Sequence, residues 1–235
     1  MADTLKILAL GNSFSQDATA YLQKICKDVY VRNLYIGGCS LERHADNLAE
    51  QTPAYDFEEN GVAVLHGVSA NEMIASERWD FITVQQASVW SGVKESYEPH
   101  LSFVLEKLRI LCPAAKIVFH QTWAYAEEYM PFDQGNYGGL RALMKNAIEE
   151  AASWATKKHG LERIKAGDFV AVLHEDETFQ GVPAYRDGYH LSLEYGRYAA
   201  ALVWAKFFGL SVDESFTPEG ADKKICEKIR AYISQ

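Results

Sequence analysis

The sequence predicts an α/β protein of a single domain, residues 1–235, in which a central parallel sheet is covered by helices on both faces. Three observations predict it. Short apolar runs alternate with segments of helical period from end to end. The run Leu5–Leu10 is nearly continuous rather than alternating, as in a parallel strand covered on both faces. No repeat, low-complexity stretch or Pro/Ser-rich linker interrupts the pattern.

Leu5–Leu10 reads as the first strand, with Lys6 at its start. From Asp17 onward, Ala18, Leu22, Ile25, Cys26 and Val29 recur at helical spacing. Tyr30–Ile36 reads as a second strand, ending in Gly37-Gly38, and a polar helix is expected over Ser40–Glu50. Asn60-Gly61 has the chemistry of a hairpin turn. Ser69 is placed to cap a short helix, Ser69–Ser76. Phe81–Val84 is the third strand, and a helix over Tyr97–Leu111 ends before Pro113. Lys116–His120 is the fourth strand. A Gly- and aromatic-rich loop, Tyr125–Gly139, then leads to a long helix ending at Gly160. A short strand near Arg163–Ala166 and a helix near Asp168–Glu175 follow. Helices over Ser192–Phe208 and Lys223–Ile233 close the chain.

The bulk composition narrows the function classes. The formal net charge of -9 repels nucleic-acid phosphates and argues against a nucleic-acid partner. Four cysteines, Cys26, Cys39, Cys112 and Cys226, are widely spaced, so neither a disulfide framework nor a zinc site is expected. No stretch is apolar and long enough for a membrane span. Met1-Ala2-Asp3-Thr4 lacks the basic region and apolar core of a signal peptide. The compartment stays open between a secreted or periplasmic protein whose signal has been removed and a cytoplasmic one; the oligomeric state stays open too.

In open α/β sheets, ligands bind beyond the carboxyl ends of the strands. The residues there are Gly11-Asn12-Ser13, Gly37-Gly38-Cys39-Ser40, Gln85-Gln86-Ala87-Ser88 and Gln121-Thr122-Trp123, with Asp187-Gly188-Tyr189-His190 near the last strand. Together they hold a hydroxyl nucleophile, a histidine with an aspartate three residues before it, and several hydrogen-bond donors. A serine hydroxyl is a weak nucleophile until a base takes its proton. His190 suits that role because imidazole titrates near neutrality. Asp187 can fix its tautomer and stabilise the imidazolium. The oxyanion of a tetrahedral intermediate then needs fixed N–H donors, and glycine lets the backbone approach closely.

The order Ser, Gly, amide, Asp-x-x-His resembles the SGNH (GDSL-type) hydrolase superfamily. "ALGNSFS" resembles its first block, "NLYIGGCS" its second and "RDGYHLS" its last. The resemblance implies a three-layer α/β/α sandwich of flavodoxin-like type. It also implies a triad of Ser13, His190 and Asp187, with Gly38 in the oxyanion hole. The third block departs from the family pattern. Where Gly-x-Asn-Asp is usual, this chain has "VQQAS", as in a largely uncharacterised branch. A glutamine can supply the missing side-chain N–H; Gln85 is the first choice and Gln86 the second, since successive strand residues face opposite ways.

Around this set, Asn12, His120, Trp123 and Tyr125 are candidate pocket residues, and Trp90 is a further aromatic near a strand end. His44, His66, His100, His159 and His174 have no partner pattern and read as surface or packing residues. Asp17 reads as a helix-start residue favoured by the helix dipole. The expected activity is hydrolysis of small acyl esters, acetyl first, on carbohydrates. It proceeds through an acyl-enzyme and needs no metal or organic cofactor. The partner is a small-molecule or carbohydrate ester. The alternatives are a lysophospholipase or thioesterase, and a non-catalytic carbohydrate-binding or scaffold module that keeps the fold.

Overall fold

A computed structural model describes residues 4–235; Met1–Asp3, at the start of the stretch read above as unlike a signal peptide, lie outside the described residues. Strand β1 (Leu5–Gly11) runs through the middle. Its side chains alternate between two cores: Ile7 and Ala9 join one, Leu8 and Leu10 the other, and none is more than 1% exposed. That double burial is why the run lacks polar alternation.

β1 pairs in parallel with β2 (Val29–Tyr35) on one side and β5 (Phe81–Val84) on the other. β6 (Lys116–His120) and β7 (Glu162–Ile164) continue in parallel beyond β5. The order β2-β1-β5-β6-β7 is the doubly wound, flavodoxin-like order. Its direction reverses between β1 and β5, so a crevice opens beyond their carboxyl ends.

The sheet is not wholly parallel, as the strand–helix alternation alone predicted. β3 (Tyr55–Glu59) and β4 (Val62–Val68) add an antiparallel hairpin to the outer edge of β2, giving seven strands. The turn is Asn60-Gly61, with φ of 52° and 77°. Two successive left-handed residues match the twist of a tight hairpin, and Asn-Gly supplies them cheaply.

One face carries α1 (Ser13–Thr19), α2 (Leu22–Ile25), α7 (Ala166–Glu175), α8 (Gly196–Phe207) and α9 (Lys223–Ser234). The other carries α3 (Leu41–Glu50), α4 (Ala70–Ala75) and α5 (His100–Leu111). The long α6 (Arg141–His159) touches both cores, through Met144 and Ile148 at its start and Ala151, Ala152 and Ala155 further on.

Three helix starts differ from the expected ones by three residues or more. The helix expected from Asp17 starts earlier, at Ser13, because Asn12 caps it; it breaks after Thr19, and Val29 belongs to β2. The helix expected from Tyr97 starts at His100, since Pro99 disfavours helical geometry at Glu98. The helix expected from Ser192 starts at Gly196, because the Ser192 hydroxyl stays outside and accepts the Gly196 N–H at 2.8 Å.

Two of the histidines are core residues. His44 is 1% exposed, with Nδ1 2.9 Å from the Tyr55 hydroxyl. His120 is fully buried against the Trp204 ring, 5.2 Å between centroids. Burial pulls both imidazoles down to about 3, so they stay neutral in the folded chain. Unfolded, each takes up a proton below about pH 6.5. Stability is therefore complete above that pH and falls as pH drops towards 3, by about 1.4 kcal/mol per pH unit for each histidine. Urea unfolding followed across this window should show a shallower slope for His120→Gln by about that amount. An unchanged slope would contradict a neutral, buried His120.

Candidate active site

The candidate site is built on the turn between β1 and α1. Gly11 ends the strand, and a Cβ there would fall 2.0 Å from Ser15 Oγ, so only glycine admits that hydroxyl. Asn12 is the N-cap of α1: its Oδ1 accepts the Phe14 N–H at 3.0 Å, and Ser15 Oγ in return accepts the Asn12 N–H at 3.0 Å. This capping box fixes Ser13 as the first helical residue, half-buried at the crevice. Ser13 Oγ makes no hydrogen bond among the described residues. Such bonds commonly tighten only with substrate present.

Asn12 also reaches across the switch point. Its Nδ2 donates to the Cys39 carbonyl at 3.0 Å, which ties the Ser13 turn to Gly37-Gly38-Cys39. There the Cys39 N–H donates to the Ile36 carbonyl at 3.1 Å, and Gly38 takes φ of 64°. The backbone N–H groups of Ser13 and Gly38 have no partner among the described residues. Both can serve an anion.

The two glutamines part as strand alternation requires. Gln86 turns away: its Oε1 accepts Leu41 N–H at 2.9 Å and Ala87 N–H at 2.8 Å, and its Nε2 donates to the Ser96 carbonyl and hydroxyl at 3.0 Å. It staples α3 to the loop beyond β5. Gln85 turns towards the Ser13 turn, where its Nε2 donates to Asn12 Oδ1 at 2.7 Å. Its Oε1 faces His120 Nδ1 at 2.7 Å, so that nitrogen carries the proton. Gln85 is 1% exposed, and one of its amide hydrogens is committed to Asn12.

Asp187 and His190 sit on a tight loop closed by a Tyr185–Leu191 bridge and by the Arg186 N–H bonding to the His190 carbonyl at 3.0 Å. Asp187 Oδ2 lies 2.7 Å from His190 Nδ1, and Oδ1 accepts the His190 N–H at 2.8 Å. Partial burial alone would raise the Asp187 pKa; the bonds from His190 and the backbone outweigh it and hold the carboxyl below its usual range. Nδ1, facing the carboxylate, is thus occupied, and Nε2 has no hydrogen-bond partner among the described residues. Phe14, next to Ser13, has its ring 6.3 Å from that of His190. Gly188 takes φ of 88°, and a Cβ there would meet Tyr129 Cβ at 2.8 Å. The loop therefore packs flat on Tyr129.

Asp17 is not at the helix start. It lies inside α1, its side chain fully buried, and it is engaged by Arg186, Arg197 and the Leu191 backbone N–H. Sequence spacing gave no hint of this, because the partners lie more than a hundred residues away.

The weaker pocket candidates are packing residues in this structure. Trp123 is 1% exposed, stacks on Phe14 at 4.4 Å and donates to the Tyr189 carbonyl at 2.8 Å. Tyr125 is buried with its hydroxyl 2.9 Å from Ser88 Oγ, and His120 is closed off as described. The open aromatic rings belong to residues the sequence reading did not single out. Tyr189 lies 3.8 Å from the His190 ring, Tyr129 stacks on Tyr189 at 4.5 Å, and Phe132, 63% exposed, continues the wall 4.7 Å from Tyr129. All four cysteines are free and buried. Among the described residues no three His, Cys, Asp or Glu side chains are grouped to hold a metal, and no helix is long and apolar enough to cross a membrane.

Comparison with known proteins agrees with this architecture. No curated protein matches the chain. A DUF4886 family protein from Bacteroides uniformis ATCC 8492 superposes with a TM-score of 0.83 at 34% identity, covering 99% of this chain and 93% of that one. A protein from Slackia heliotrinireducens assigned to the SGNH hydrolases has a TM-score of 0.60 at 22% identity, over 88% of this chain and all, 100%, of the other. A member of the lipolytic G-D-S-L family from Veillonella parvula DSM 2008 has a TM-score of 0.55 at 13% identity, covering 87% and 98%. These last two share the fold. The family model named Domain of unknown function (DUF4886) matches residues 6–233, and the chain belongs to that family.

Proposed function

We propose that the protein is a serine hydrolase of small acyl esters, acetyl first, carried on a carbohydrate. One observation carries the reading: a histidine oriented by its own loop aspartate faces the helix whose first residue is an unbonded serine. The unpartnered N–H groups of Ser13 and Gly38 beside it support the same chemistry.

In the proposed mechanism His190 Nε2 takes the Ser13 proton as Oγ attacks the ester carbonyl. Asp187, ionised, stabilises the imidazolium through Nδ1. The oxyanion accepts from the Ser13 and Gly38 N–H groups, with Gln85 as the side-chain donor. The C–O bond to the leaving alcohol breaks as His190 returns the proton to it. Water then attacks the acyl-Ser13 ester with His190 again as base, releasing the acid and restoring the serine. Gln86, bound to Leu41 and Ser96, has no part in this scheme.

Two features favour the substrate class. Phe14 stacked on Trp123, itself bonded to Tyr189, fills the wall beside Ser13 and argues for a short acyl group. The Tyr189–Tyr129–Phe132 row beside His190, half-buried at the two tyrosines and exposed at Phe132, offers an aromatic edge that a sugar ring can pack against. A lysophospholipid or thioester substrate is the second reading, favoured by the exposure of Phe132.

Hydrolysis of p-nitrophenyl acetate tests the chemistry. Ser13→Ala should lower kcat by about 10⁴-fold or more, and Asp187→Asn by about 10⁴-fold. Equal rates for wild type and Ser13→Ala would refute the triad and leave a binding module. A p-nitrophenyl ester series from acetyl to decanoyl tests the acyl group. Activity should fall with chain length, and a rise towards decanoyl would turn the assignment to lipids.

A further inference from the structure

We propose that Asp17 is a positioning residue that locks the general-base loop onto the nucleophile helix. The proposal rests on the serine-hydrolase reading above and goes beyond the triad. Asp17 lies one helical turn after Ser13, so both fall on the same side of α1. Its carboxylate is fully buried yet takes four hydrogen bonds. Arg186 Nη1 donates to Oδ1 at 3.0 Å and to Oδ2 at 3.2 Å, Arg197 Nε to Oδ1 at 2.7 Å, and the Leu191 N–H to Oδ2 at 2.8 Å.

The partners bracket the base pair. Arg186 directly precedes Asp187, Leu191 directly follows His190, and Arg197 is the second residue of α8, whose Gly196 packs on Leu191. The same Arg186 Nη1 also donates to the Leu191 carbonyl, so the guanidinium closes the loop across its neck. The two ends of the segment that carries Asp187 and His190 are thus pinned to one carboxylate on the helix that carries Ser13.

Stability alone is a poor reason for this arrangement. A buried ion pair is often no more stabilising than apolar residues of the same volume. What a carboxylate does that a leucine cannot is accept a backbone N–H and the bonds of two guanidinium groups in fixed directions, which sets the register of the loop. It also occupies Arg186. Without Asp17, that guanidinium is free to turn to its neighbour Asp187, whose side chain is 42% exposed, and to draw it from His190.

A double-mutant cycle tests this. Asp17→Asn should lower kcat for p-nitrophenyl acetate by about 100-fold, the size of loss that a misplacement of about 1 Å produces. KM should stay within about twofold, because no substrate contact is removed. In a His190→Ala background, Asp17→Asn should change the residual rate by less than about twofold, since a residue acting through His190 has nothing left to act on. An equal loss in both backgrounds, or none in either, would overturn the proposal. If Asp17→Asn fails to fold, Arg197→Lys removes one bond at lower cost. A loss of kcat that vanishes in His190→Ala supports the proposal, and one that persists refutes it. Should Ser13→Ala leave the wild-type rate unchanged, the hydrolase reading fails separately. The clamp is then read by hydrogen exchange at the His190 amide, which bonds to Asp187. Faster exchange in Asp17→Asn supports the clamp, and unchanged exchange refutes it.

Discussion

One buried carboxylate joins the two ends of the chain at the candidate site. Asp17 stands on the first helix, and the groups that bond to it come from residues 186 to 197. A parallel sheet brings strand ends to one edge without fixing side chains there to the fraction of an ångström that proton transfer needs. Here the strand ends are tied together by polar side chains at the start of a seven-residue helix and one turn into it. At its start Asn12 holds the Gly38 turn through the Cys39 carbonyl and receives Gln85. One turn later Asp17 holds the base loop. The short α1 is the joint to which the Ser13 turn, the Gly38 turn and the Asp187–His190 loop all attach.

The third strand shows how the site accommodates an unusual residue. Gln85 is held at both ends, by Asn12 and by a neutral His120 that has no reason to be polar except to orient it. Burial keeps that imidazole neutral, so it stays a fixed donor from Nδ1 at any pH where the chain is folded near neutrality. An isolated buried amide would carry a desolvation penalty. Linked between Asn12 and His120, it extends a chain of hydrogen bonds from the core to the Ser13 turn. The extra methylene of glutamine reaches this position from a strand end that elsewhere in the fold carries asparagine.

Much of this was legible in the sequence. The apolar runs at Leu5–Leu10, Phe81–Val84 and Lys116–His120 are strands because each is covered on both faces, a property written in their composition. Asn60-Gly61 marks its own turn by backbone chemistry. Asp187 and His190 are legible because both partners lie within one loop. What escaped depends on distance along the chain. Asp17 looks like a helix-start charge until Arg186 and Arg197 are folded against it. Trp123 and Tyr125 look open at a strand end but are sealed by Phe14 and Ser88, whereas Tyr129 and Phe132 looked like loop and form an aromatic row, half-buried at Tyr129 and exposed at Phe132. Which face of an aromatic ring is covered is a tertiary fact, and no local pattern encodes it.

The central claim is that Ser13 is a nucleophile activated by His190. The most direct measurement is peptide mass spectrometry after treatment with a fluorophosphonate, which forms a stable phosphonyl ester with an activated serine and releases fluoride. The account predicts a single adduct on Ser13, formed much more slowly in His190→Ala. No adduct at Ser13, or one that forms equally fast without His190, would contradict it.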